Sequence, residues 1–332
     1  MSLRFIVFIL IIQSCYSQDR VSLLLDSLTI VSSEKEISRI SQEIASELKN
    51  KDWERSLHYI EYSLEIAKSS KSEEILADTY FATANIYYAK DALDVALEYY
   101  QKAYNYYKQS QNTTKKYTLE NDLAVIYARL KNKDKALYYF RDINKHWTEK
   151  KDSILIAKSF NNMGTLYLEE DIDSSMYYYN KALHIVRRLN DNQLNAFIYA
   201  NLGRCYSIKE RPKLAIENFN RSIEFAKKGL EDRTVAWIYY SVSNHYLKQE
   251  ISDSAIHYAS KSRKLLDDIP YSFENLEAVR ILYKSYLLDN DFENASKYFE
   301  AYNEIRDSLN IEEKAVNVEK LKLARNIRPR NK

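Results

Sequence analysis

Small residues recur at a fixed spacing along most of the chain: Ser56, Ala96, Ala136, Ser175, Ala215, Ala255 and Ala295. The steps are 40 residues, with a single step of 39. Four residues after each comes Ile60, Tyr100, Phe140, Tyr179, Phe219, Ala259 or Phe299, and three further on Ser63, Ala103, Ile143, Ala182, Ser222, Ser262 or Tyr302. Upstream, a tyrosine recurs at Tyr87, Tyr127, Tyr167, Tyr206, Tyr246 and Tyr286. Three residues before it stands Ala84, Ala124, Gly164, Gly203, Ser243 or Tyr283. The short step falls between Tyr167 and Ser175 in both series, so one turn lacks one residue. Spacings of three, four and seven gather each set on one face of a helix. The pattern therefore predicts a two-helix hairpin repeated seven times over residues 37–309, with Tyr199 to Ser222 its most regular copy.

A small residue three before Tyr, then Ala with an aromatic at four and a small residue at seven, resembles the tetratricopeptide repeat. The period of 40 departs from that family's common 34, and the first unit offers Leu48 near the place of the tyrosine. The resemblance implies an all-α, right-handed α-solenoid of about seven hairpins with a concave face. With about 34 of every 40 residues helical, each helix spans about 17 residues, or about 25 Å. Turn residues precede the second helices at Lys90-Asp91, Lys131-Asn132, Glu170-Asp171, Arg211-Pro212, Ser252-Asp253 and Asp289-Asn290; Asp and Ser are good N-caps. Pro270 is placed to close the sixth unit. Residues 18–36 form an amphipathic helix that caps one end of the array. A long helix and basic tail, 310–332, follow the other end.

Three Gly and three Pro in 332 residues are too few for a sheet protein, whose turns demand them. Thirty Tyr suit thin helical layers, each ring filling an interface while its hydroxyl reaches water or a partner. At Tyr99-Tyr100, Tyr138-Tyr139 and Tyr177-Tyr178-Tyr179, one ring fits the packing column and the others half-cover the outer wall. The net charge is +2, with seven basic and one acidic side chain in 314–332 and a mildly acidic body, which gives no nucleic-acid footprint. Gly164, Gly203 and Gly229 are isolated, so no phosphate-cradling loop exists, and the five His show no metal-ligand spacing. No catalytic residues, metal site or cofactor are expected, and the chain is read as a non-enzyme.

Residues 1–17 combine a basic start, the apolar run Phe5–Ile12 and a small, polar end. That run is too short to span a bilayer and reads as a secretory signal. Cleavage after Ser17 is favoured over lipidation at Cys15. Export to the periplasm or envelope of a Gram-negative bacterium is the expectation. Without residues 1–17, Cys205 is the one remaining cysteine, so no internal disulfide can form. Beside Tyr206 it reads as a small buried hydrophobe.

In tetratricopeptide repeats the first helix of each hairpin lines the groove. Carried over by position, two residues before the tyrosine stand Asn85, Val125, Thr165, Arg204, Asn244 and Lys284, and six before it Phe81, Asn121, Asn161, Ala200, Tyr240 and Arg280. The two columns lie one turn apart. An Asn amide both donates and accepts, which suits clamping a peptide backbone. Arg204, Trp237 and Tyr240 would form an anchor pocket. The candidate site is thus Asn85, Asn121, Asn161, Arg204, Trp237, Tyr240, Asn244 and Lys284, holding an extended segment of a protein or peptide. The basic tail reads as a solvated end or a contact to a membrane or other acidic surface; the oligomeric state is open.

A second resemblance is to the exported sensor half of Bacteroidota signalling proteins, which continue into a membrane helix and a histidine kinase or DNA-binding domain. The sequence reaches Lys332 without such a helix, so a truncated or detached sensor is the alternative reading. A cytoplasmic peptide-pheromone receptor with long repeats is a third, disfavoured because residues 1–36 are too short for its N-terminal domain.

Overall fold

The structure is a computed structural model. It describes residues 20–49, 51–90 and 92–327, with side chains through 309. The signal-like segment 1–17, Cys15 and the side chains of the tail lie outside the described residues. All regular structure among them is helical, and none of these helices is long and apolar enough to cross a membrane. The chain divides into two compact units, residues 1–119 and 120–332.

In the first unit, α1 (Arg20–Ile30) lays Val21 into a cluster with Ile40, Ile44 and Leu48 of α2 (Glu34–Leu48). Leu48 is buried where later units carry tyrosine. Helix α2 pairs with α3 (Trp53–Ser69), and α4 (Glu73–Ala89) pairs with α5 (Leu93–Tyr107). The division between units falls within α6 (Thr113–Arg129).

The second unit continues with α7 (Lys133–Lys150), α8 (Ser153–Tyr167), α9 (Ile172–Val186), α10 (Asn192–Ile208) and α11 (Pro212–Ala226). It closes with α12 (Asp232–Lys248), α13 (Ser252–Lys264), α14 (Phe273–Leu288) and α15 (Phe292–Ile327). Consecutive helices pair as hairpins, and each hairpin packs on the next.

The periodic columns are the contacts between paired helices. Every small residue from Ser56 to Ala295 is buried. Ser56 and Ser175 also donate to the carbonyls of Ala45 and Gly164, at 2.7 and 2.8 Å, so a serine here replaces alanine without an unsatisfied hydroxyl. Ser222 and Ser262 do the same with Ala196 and Ala236, both at 2.8 Å. The aromatic column is equally buried until the last hairpin, where Phe299 is 45% exposed and packs on Tyr283 at 5.1 Å. Gly203 explains itself in this frame: a Cβ there would lie 2.8 Å from the ring of Phe219.

A second tyrosine column emerges from the packing. Tyr99 stacks on Tyr87, Tyr139 on Tyr127, Tyr178 on Tyr167, Tyr258 on Tyr246 and Tyr298 on Tyr286, with interplanar angles of 3°, 8°, 19°, 2° and 4°. The tyrosine runs therefore divide three ways. Tyr100 and Tyr179 fill the hairpin, Tyr99 and Tyr178 stack, and Tyr138 and Tyr177 face solvent.

The hairpin turns explain the deletion. Lys131, Glu210, Glu250 and Asn290 each stand four residues after the repeat tyrosine with φ of 54° to 58°. The next residue's amide donates to the tyrosine carbonyl: Asn132 to Tyr127, Arg211 to Tyr206, Ile251 to Tyr246 and Asp291 to Tyr286, at 2.8–3.0 Å. This is the left-handed helix stop that usually recruits glycine. At Tyr167 the left-handed residue is missing, and the amide of Asp171 takes the carbonyl directly at 2.8 Å. Asp171 also caps α9, as Asn132 and Asp291 cap α7 and α15, while Arg211 leaves the start of α11 to Pro212.

Candidate peptide-binding face

The column two before the tyrosine divides by what stands opposite it. In the first unit, the Tyr100 hydroxyl donates to Asn85 Oδ1 at 2.6 Å. In the second, Tyr179 and Thr165 share a bond of 2.9 Å. Asn85 is thus occupied inside its own hairpin. Val125 and Arg204 stand opposite phenylalanines, Phe140 and Phe219, which make no such demand. Asn244 is half-buried and Lys284 exposed.

The remaining candidates meet on the face made by the first helices of the second unit. Asn162 Nδ2 donates to Asn121 Oδ1 at 3.1 Å, from α8 to α6. One hairpin on, Asn201 Nδ2 donates to Asn161 Oδ1 at 3.1 Å, from α10 to α8. Each bond joins the column six before the tyrosine to the column five before it in the next hairpin. Asn161 and Asn162 stay half-buried, and Asn161 Nδ2 and Asn162 Oδ1 form no hydrogen bond among the described residues. Ala200, in the column with Asn121 and Asn161, is fully buried, and its neighbour Asn201 carries the polar contact.

Beyond Asn201 the face turns aromatic and charged. Arg204 Nη1 donates to Asn201 Oδ1 at 3.3 Å, and its guanidinium lies over the Trp237 ring at 5.9 Å. Trp237 packs on Phe197 at 5.4 Å. Arg280 pairs with Glu277 at 2.6 Å, and the Tyr240 hydroxyl donates to the same carboxylate oxygen at 3.5 Å. Burial, then the charge of Glu277, pushes the Tyr240 phenol up. At the other end, burial pushes the Asp122 carboxyl up to about 7, against a weaker opposing bond from Asn121.

Asp122, Asn162, Phe197, Asn201 and Glu277 escaped the sequence reading. Asp122, Asn162, Asn201 and Ser241 form a polar column at the same 40-residue register, which was the available signal. Cys205 is fully buried 3.6 Å from Ser175 Oγ, and burial pushes its thiol up. Among the described residues no group of three possible metal ligands comes together.

A stack of two-helix hairpins with small residues at the close approaches defines a helical repeat protein. Residues 155–228 match the tetratricopeptide repeat family model, and the same columns recur on both sides of that segment. The chain thus contains a segment of tetratricopeptide repeats within an all-helical repeat fold. It is 23% identical over 236 residues to the transcriptional activator NprA of Geobacillus stearothermophilus, covering 67% of this chain and 58% of the relative. It is 23% identical over 184 residues to response regulator aspartate phosphatase E of Bacillus subtilis, covering 54% of this chain and 49% of the relative. The chain thus spans about half the length of the curated relatives it matches. Among solved structures, a Rap protein complexed with competence and sporulation factor has a TM-score of 0.64 at 17% identity, covering 87% of this chain and 80% of that one. NprR in complex with its cognate peptide NprX has a TM-score of 0.61 at 16% identity, covering 95% and 90%.

These relatives correct the expected location. They are cytoplasmic regulators of Gram-positive bacteria, which contradicts export to a Gram-negative periplasm or envelope. An apolar run as short as Phe5–Ile12 matches a core segment as well as a signal core.

Proposed function

We propose that this chain is a peptide-binding regulatory module, holding a short extended peptide along the α6–α8–α10–α12 face of its second unit. The observation that carries this is the amide pairing of Asn121 with Asn162 and Asn161 with Asn201. Each pair fixes its side chains across neighbouring helices, so they need not be ordered by the ligand. Asn161 Nδ2 and Asn162 Oδ1 are left to meet the carbonyl and amide of an extended backbone. Trp237 and Tyr240 supply the apolar anchor. Further support comes from NprR, which has this fold and was solved with a peptide bound. Asn244 and Lys284 extend the same face.

We also propose that the chain acts by binding, like a transcriptional activator, and not by catalysis. A phosphatase among its relatives makes the comparison worth measuring. Dephosphorylation of phosphorylated response regulators should proceed at the same rate with and without the protein. The binding reading is tested by selecting peptides from a random library on wild type and on Asn161→Ala/Asn201→Ala. Peptides selected by wild type should bind the double variant at least tenfold more weakly. Equal binding by both would overturn the proposal.

A further inference from the structure

We infer that the second helices of the second unit carry a separate docking surface, a groove between α11 and α13 that takes an acidic protein segment bearing an apolar side chain. On these helices a cation recurs six residues after the small column: Lys181 on α9, Arg221 on α11 and Lys261 on α13. Each lies over an aromatic ring of its own hairpin. Lys181 sits over Phe160 and Tyr177 at 5.2 and 4.6 Å, Arg221 over Tyr199 at 5.6 Å, and Lys261 over Tyr239 and Tyr258, both at 5.7 Å. The sequence carries the same pairing. Where Val279 replaces the ring seven before the repeat tyrosine, Ala301 replaces the cation; where Glu120 replaces it, Asp142 takes the cation's position.

An aromatic bed holds a lysine in place without neutralising it. Lys181 and Lys261 form no ion pair among the described residues, nor do Lys227 and Lys228 just past the end of α11. Arg221 differs, since Glu217 and Glu224 of its own helix attract it and it donates to the Tyr199 hydroxyl at 3.3 Å. The helix dipole accounts for Lys227 and Lys228, but not for Lys181, which stands more than a turn before the end of α9. The free charge collects where a groove opens. About 300 Å³ of space lies between α11 and α13, over half-buried Ile223, Tyr239 and Tyr258 and beside exposed Lys227 and Lys261. Asn220 and Glu224 complete its rim.

That lining decides the occupant. The half-buried floor takes an apolar side chain, and the two lysines take carboxylates on either side of it. Glu224, already drawn to Arg221, leaves the two lysines in excess on the rim. Single-stranded nucleic acid, another polyanion, needs exposed rings on which its bases stack. Here the rings lie beneath the cations, and Tyr199 is only 5% exposed. None of the groove's residues belongs to the amide-bearing face, so the two surfaces are tested separately.

The test uses four random peptide pools built from Glu with Leu and Phe, Gln with Leu and Phe, Glu with Gly, and Lys with Leu and Phe, together with oligo(dT). Retention by the full chain is quantified for wild type, Lys227→Gln/Lys261→Gln, Lys227→Glu/Lys261→Glu and Asn161→Ala/Asn201→Ala. Wild type should retain the acidic, apolar pool about tenfold over its Gln counterpart, the span of two exposed ion pairs, and about tenfold over the Glu and Gly pool, for one buried apolar side chain. The Gln variant should lose the preference for Glu, and the Glu variant should transfer it to the Lys pool, both at the wild-type melting temperature. Asn161→Ala/Asn201→Ala should keep the wild-type preference. Equal retention of the Glu and Gln pools by wild type, an unchanged preference in the lysine variants, or a preference lost with Asn161→Ala/Asn201→Ala instead, would overturn the docking surface. Equal retention of the Glu and Gly pool would overturn the groove, and oligo(dT) held more tightly than any pool would replace the acidic segment with nucleic acid.

Discussion

The Tyr179 hydroxyl lies 2.9 Å from Thr165 Oγ1, joining the two helices of one hairpin through a bond that a phenylalanine in the same column cannot make. Tyr100 and Asn85 repeat it at the equivalent positions of another hairpin. Polar residues in that column serve packing where tyrosine stands opposite, and are released where phenylalanine does. Tyr179→Phe should therefore cost about 1 kcal/mol. A double-mutant cycle with Thr165→Val, read by urea unfolding, should give a coupling of about 0.5–1.5 kcal/mol. A coupling of zero would contradict the assignment.

Gly203 tests the close approach itself. Its Cβ would fall 2.8 Å from both Cδ1 and Cε1 of Phe219. Gly203→Ala should destabilise by about 1–3 kcal/mol, as overpacking does. Adding Phe219→Leu should recover part of that loss. If Gly203→Ala melts at the wild-type temperature, the hairpin is less tightly packed than described.

Turns that end in a left-handed residue other than glycine store strain. Glu250 has φ of 57° and Glu210 of 54°. A side chain in that region costs about 1–2 kcal/mol, offset in part by the greater chain entropy that glycine loses on folding. Glu250→Gly should thus raise stability by up to about 1 kcal/mol in thermal unfolding. Gly at Asp171, which has an extended φ of −147°, should lower stability instead because the α9 cap is lost.

Asp122 sets a pH dependence. Burial disfavours its charge and pushes the carboxyl up to about 7 in the folded chain. The folded state then holds the proton that the unfolded state releases near 4. The associated stability is fully present below about 4 and is lost as pH rises through 7. Asp122→Asn should therefore raise the melting temperature more at pH 8 than at pH 5. The same shift at both pH values would contradict a raised carboxyl.

The fold was legible because close approach tolerates only small residues, and seven hairpins repeat that demand at one register. Ser56 to Ala295, Gly203 and the missing turn residue after Tyr167 could all be read from spacing. The stacked tyrosines such as Tyr99 on Tyr87 were hidden inside runs whose members look alike until packing separates them. The left-handed turns were hidden too, since Lys131, Glu210 and Glu250 carry no glycine signal. On the proposed face, Asn161, Arg204 and Tyr240 could be placed by register. Asn162 and Asn201 share that register, but their pairing with Asn121 and Asn161 depends on contact between neighbouring hairpins, which one hairpin's periodicity does not contain. Location was misread because a short apolar run has no contact pattern to identify it.

The most direct measurement is a crystal structure of the chain with a library-selected peptide. The expected result is an extended peptide whose backbone lies within hydrogen-bond distance of Asn161 Nδ2 and Asn162 Oδ1, with an apolar side chain against Trp237 and Tyr240. A peptide bound along the second helices, with Asn161 and Asn201 unchanged and in contact only with each other, would contradict the central claim.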